Sequence, residues 1–96
     1  MAMGKDKLKR FSEIKDFDNV INPNIKYDFP DHQIKGNWNI EFKNNQPIVL
    51  ELGCGRGEYT VELARQFSEK NFIGVDIKGA RLWRGAKTAF ENNIKN

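Results

Sequence analysis

The chain has 96 residues, with 16 lysines and arginines against 13 aspartates and glutamates, for a formal net charge of +3. That length holds one domain at most and buries a smaller share of its surface than a larger domain would. No apolar run approaches the length of a membrane span, the N-terminus has no apolar signal core, and one cysteine with one histidine makes neither a disulfide nor a metal cluster. The expectation is a cytoplasmic protein that binds no membrane and no metal.

The charge is unevenly spread. Residues 1–15 carry five basic and two acidic side chains, residues 16–77 six and ten, and residues 78–96 five and one. Two basic ends therefore enclose an acidic middle, a pattern that suits a cationic ligand held centrally and a polyanion met by the flanks.

In chain order, residues 5–17 read as a short helix or an arm, with Leu8, Phe11 and Ile14 at weak helical spacing. Asn22-Pro23, Phe29-Pro30 and Asn44-Asn45 mark residues 18–47 as loop-rich, and His32 reads as a surface residue there. Within that stretch Trp38-Asn-Ile-Glu-Phe42 alternates apolar and polar residues, which predicts a short strand or hairpin arm. Trp38 is expected to pack over the sheet rather than stack on a base.

Ile48 to Leu52, behind Pro47, is an apolar and partly β-branched run that predicts a buried parallel strand. Gly53, Gly55 and Gly57 follow, allowing a tight turn and a close ligand approach. Such a turn at the carboxyl end of a strand is where open α/β sheets bind nucleotide-like molecules. Charge narrows the ligand. A phosphate site keeps the helix start clear of anions, whereas here Glu51 and Glu58 flank the turn, and Glu58 stands where a dinucleotide fingerprint has its last glycine. Cys54 reads as a small residue packed at the bend rather than as a nucleophile. From Glu58 a helix is predicted, with Tyr59, Leu63, Ala64 and Phe67 on its packing face.

A second strand is predicted at residues 71–75, ending at Asp76, nineteen positions beyond Gly57. In a βαβ unit a carboxylate there accepts hydrogen bonds from ribose hydroxyls. An adenosine that carries positive charge and no phosphate describes S-adenosylmethionine. A last helix is predicted over residues 79–90, with Leu82, Trp83, Ala86, Ala89 and Phe90 facing the core. Lys78, Arg81, Arg84 and Lys87 form the basic face best suited to RNA.

Three segments together, Glu51-Leu-Gly-Cys-Gly-Arg-Gly57, Phe72-Ile-Gly-Val-Asp-Ile-Lys-Gly-Ala-Arg-Leu-Trp83 and Gly4-Lys-Asp-Lys-Leu-Lys-Arg-Phe11, resemble the bacterial tRNA (guanine-N7)-methyltransferase family. The resemblance implies the N-terminal part of a Rossmann-like class I methyltransferase fold, α/β with a parallel sheet flanked by helices and incomplete here. It divides the chain into a basic arm and loop region, 1–45, and the first βαβα portion of the cofactor domain, 46–96. It also implies that Glu51, Gly53, Gly55, Gly57 and Asp76 bind S-adenosylmethionine and that tRNA is the partner, and it names no catalytic residue in this part. Self-association through an unpaired sheet edge is a further expectation. Two other readings stand beside it, a non-catalytic RNA-binding fragment and a dinucleotide-dependent oxidoreductase.

Overall fold

The computed structural model describes residues 8–10, 12–22 and 33–96. Residues 4–7, Phe11, Pro23, Phe29-Pro30 and His32 of the sequence analysis lie outside the described residues. The described elements are a 3-10 turn at Ile14–Asp16, α1 at Trp38–Phe42, β1 at Ile48–Leu52, α2 at Glu58–Gln66, β2 at Asn71–Val75 and α3 at Gly79–Glu91.

β1 and β2 pair in parallel, Ile48 opposite Asn71 through Leu52 opposite Val75. Both strands occupy the residues predicted for them, because each apolar run is bounded by residues that stop a strand. The ladder continues past β1, since the Cys54 amide donates to the Val75 carbonyl at 2.9 Å and so ties the glycine turn to the end of β2. α2 packs on β2, α3 packs on α2, and the N-terminal 3-10 turn packs on α3. The buried apolar side chains among the described residues are Ile14, Ala64 and Ala89.

Small residues let these layers approach. A Cβ on Gly85 of α3 would lie 2.6 Å from the Arg56 carbonyl oxygen and 3.1 Å from the Gly57 Cα, so only glycine allows α3 to rest against the turn. On β2, a Cβ at Gly74 would meet the Cys54 sulfur at 2.8 Å.

Several expectations are corrected. β1 is not buried, with Ile48, Leu50 and Leu52 all exposed, and Phe90 is exposed rather than core-facing. Trp38–Phe42 is a helix, not a strand, closed by Lys43 in the left-handed region. The five residues place Trp38 and Phe42 one helical turn apart, with ring centroids at 6.2 Å, and the helix holds no buried residue. Tyr59 is 67% exposed and does not join the packing face of α2, whose buried position is Ala64. Trp83 is half-buried rather than core, because its indole nitrogen donates to Glu13 and cations surround its ring.

Residues 8–10, 12 and 13 are helical, continuing into the 3-10 turn. This segment is fixed to α3 at several points. Ile14 is 2% exposed, Phe17 stacks on Phe90 at 5.7 Å, and the Asn19 side-chain amide donates to the Ala86 carbonyl.

Candidate functional site

Gly53, Gly55 and Gly57 all have positive φ, 66°, 58° and 73°. Three left-handed residues in five positions require glycine, because a side chain is strained at such angles. A Cβ at Gly53 or Gly55 would meet nothing within 4 Å, so the space over the turn is open. Gly57 is the N-cap of α2, and no side chain caps the first turn of that helix.

Carboxylates surround this turn. Asp76, just past β2, accepts from the Lys78 amide at 2.8 Å and, through its other oxygen, from the Gly55 amide at 2.9 Å. The first bond makes a local turn of the kind aspartate favours; the second clamps the glycine loop. These two N–H groups, the Lys78 one foremost, hold the Asp76 carboxyl below its ordinary value of 3.8 against the opposing desolvation, with the charges of Arg81 and Lys78 adding to the lowering. A carboxylate has about four lone-pair positions, so Asp76 keeps acceptor capacity for hydroxyls of a ligand.

Glu51 is positioned from α2. The Thr60 hydroxyl donates to it at 2.5 Å. Thr60 carries no signal in the sequence, because the contact depends on how α2 crosses β1. Glu58 is exposed and lies 4.0 Å from the Arg56 guanidinium, a distance and setting that add little energy.

Cys54 sits between the two acids. Burial raises its thiol pKa above the ordinary 9.0, and the Asp76 and Glu51 charges raise it further, so the group is a protonated packing residue at neutral pH. Glu51 also lines a shallow depression of about 150 Å³ with Val49, Leu50, Tyr59, Thr60, Leu63 and Phe72. Asp76 does not line it. Small-molecule pockets run to roughly 300–1,000 Å³, so this depression alone is smaller than such a site.

The four basic residues predicted on α3 divide into two pairs. Lys78 and Arg81 stand beside Asp76 and act on its charge. Arg84 and Lys87 lie one to two turns further along and gather at the Trp83 ring, 5.4 Å and 4.7 Å from its centroid. Among the described residues no group of three or more histidines, cysteines or acids is placed to hold a metal, and no helix is long and apolar enough to cross a membrane.

A parallel strand, a glycine turn, a helix and a carboxylate at the tip of the next strand make up an α/β unit in the arrangement by which open sheets hold ligands beyond their strand ends. The profile of the family described as "Putative methyltransferase" matches residues 45–96. The chain belongs to that family. It is 59% identical over 95 residues to a tRNA (guanine-N(7)-)-methyltransferase of Christiangramia forsetii, covering 96% of this chain and 42% of the relative. It is 52% identical over 96 residues to the protein of the same name from Bacteroides fragilis, covering 98% of this chain and 38% of the relative. The Cytophaga hutchinsonii protein of that name is 45% identical over 94 residues, 98% of this chain and 41% of the relative. The chain thus spans about two fifths of the length of these curated relatives. No solved structure matches it with significance.

Proposed function

We propose that this chain forms the cofactor-holding, N-terminal part of a cytoplasmic tRNA (guanine-N7)-methyltransferase, on a Rossmann-like sheet that further strands complete. The observation that carries this reading is the acid-framed, triple left-handed glycine turn in a chain whose relatives bear that name. The residues present fit S-adenosylmethionine. Open space lies over Gly53 and Gly55, and both nearby carboxylates favour a cation while opposing a pyrophosphate.

When bound, the cofactor supplies an electrophilic methyl group on a positively charged sulfur. Asp76 accepts from the ribose hydroxyls while its bond to the Gly55 amide keeps the turn in shape. Glu51, held by Thr60, adds the negative potential that attracts the cationic end. Guanine N7 has a free lone pair and no proton, so these residues move no proton. Their contribution is to hold and orient. Lys78, Arg81, Arg84 and Lys87 face the tRNA in this reading.

Calorimetric titration with S-adenosylhomocysteine and with NAD separates this function from a dinucleotide-dependent oxidoreductase. The expected result is binding of the former alone, together with tRNA binding that weakens as salt rises. Binding of NAD in preference to S-adenosylhomocysteine would overturn the proposal. Binding of tRNA with no affinity for either small molecule would favour an RNA-binding fragment instead.

A further inference from the structure

The Trp83 ring collects cations from two distant parts of the chain. The Arg10 guanidinium lies 4.6 Å from the ring centroid, Lys87 4.7 Å and Arg84 5.4 Å. Glu13 fixes the arrangement, accepting from the indole N–H at 2.6 Å while Lys9 stands 4.0 Å from its other oxygen. Ile14, Phe17 and Asn19 dock the same N-terminal segment on α3. The fold therefore brings Lys9 and Arg10 of one basic end beside Arg84 and Lys87 of the other.

Around the ring, the four described cations Lys9, Arg10, Arg84 and Lys87 meet two described carboxylates in ion pairs, Glu13 with Lys9 and Glu91 at 3.9 Å from Lys87. Among the described residues neither Arg10 nor Arg84 forms an ion pair. Both are exposed. Like charges gathered on one ring repel, and cation–π attraction at exposed sites is modest, so an added anion is favoured there. Guanidinium groups match phosphate in bidentate geometry. The ring is surrounded by cations, which suits a contact to backbone rather than to a stacked base.

We propose that Arg10, Arg84 and Lys87, assembled on Trp83 and latched by Glu13, form a single clamp for the phosphate backbone of RNA. The inference rests on the tRNA reading above and adds to it a site built from the N-terminal segment and α3 together. Its contacts position the RNA and do not read its bases.

The test is fluorescence anisotropy of labelled tRNA with the whole chain, between about 50 and about 200 mM KCl. Arg10→Gln and Arg84→Gln are each expected to weaken binding about three- to tenfold at the lower salt and to flatten the log–log salt dependence by roughly 0.7 to 0.9. Arg10→Lys restores most of the slope. Thermal melts and S-adenosylhomocysteine affinity stay as in the wild type. Glu13→Gln keeps an acceptor for the indole and removes a negative charge, so tRNA binds about two- to threefold tighter, a change that a purely structural Glu13 would not produce. If a charge-removing variant fails to fold, Glu13→Gln decides, and no tightening overturns the clamp. Wild-type binding matched by Arg10→Gln and Arg84→Gln would overturn the clamp and leave the enzyme reading intact. A wild-type chain that binds S-adenosylhomocysteine and ignores tRNA would overturn the clamp alone; one that binds neither would overturn both.

Discussion

Asp76 joins three parts of the molecule through two oxygens, and its acidity records that. Because backbone N–H groups lower its pKa in the fold, it stabilises the native state fully above the ordinary carboxylate value of 3.8, and this contribution is lost as pH falls through the lowered folded value. The thermal stability difference between wild type and Asp76→Asn should therefore be at its full size near about pH 6 and should shrink only as the pH falls below the ordinary 3.8 and through the lowered folded value. Melts at about pH 6 and about pH 2 check this. Asp76→Ala should also lower S-adenosylhomocysteine affinity by at least about tenfold, since a charge-assisted hydrogen bond is lost. Unchanged affinity in a folded variant would remove Asp76 from the site. Gly85 makes a different demand. Alanine is the better helix former by about 1 kcal/mol, yet its Cβ would stand 2.6 Å from a backbone oxygen of the turn. Overpacking of this kind costs roughly 1–3 kcal/mol, so Gly85→Ala should destabilise the chain in denaturant titrations. A neutral or stabilised variant would contradict the close approach of α3.

At the scale of elements, the cap on α2 comes from far along the chain. Asn96 donates from one side-chain amide to the carbonyls of Ala64, Phe67 and Lys70, at 2.8, 3.0 and 3.0 Å, and its own carbonyl accepts from Phe72 of β2. These carbonyls cluster at the end of α2, where acceptors lack partners within the helix. Asn96→Ala should cost about 1–3 kcal/mol in thermal or chemical unfolding. Asn96→Asp should cost more, because a carboxylate there would face carbonyl oxygens. An Asn96→Ala variant as stable as the wild type would show that donation is not what matters. The elements themselves were unequally legible. β1 and β2 follow from Pro47, the apolar runs and the glycines after them, all local signals. Trp38–Phe42 misleads because a five-residue window with apolar positions 38, 40 and 42 fits a strand and also places 38 and 42 on one helix face. The carboxylates and the turn glycines stand out in sequence by spacing and charge. Thr60, Gly74, Gly85 and Asn96 do not, because their roles depend on contacts that form only when separate elements meet.

For the molecule as a whole, the decisive feature is the sheet face that no described helix covers. Ile48, Leu50 and Leu52 of β1 are 43%, 55% and 75% exposed, and Val75 of β2 is 44% exposed. Strand alternation sets the three β1 side chains opposite Val49 and Glu51, although Leu50 also borders the depression beside α2. Parallel sheets are ordinarily covered on both faces, and full burial of one such side chain is worth about 1.5–3 kcal/mol. The chain therefore carries apolar surface that a covering layer would stabilise, in keeping with its spanning about two fifths of its relatives' length. In isolation it should bind an apolar dye such as anilinonaphthalene sulfonate and should associate as concentration rises in sedimentation velocity. Leu50→Lys with Leu52→Lys should reduce both signals without lowering the melting temperature, because those side chains make little buried contact to lose. A wild-type chain that stays monomeric, ignores the dye and unfolds cooperatively would mean that some other part of the molecule already covers this face.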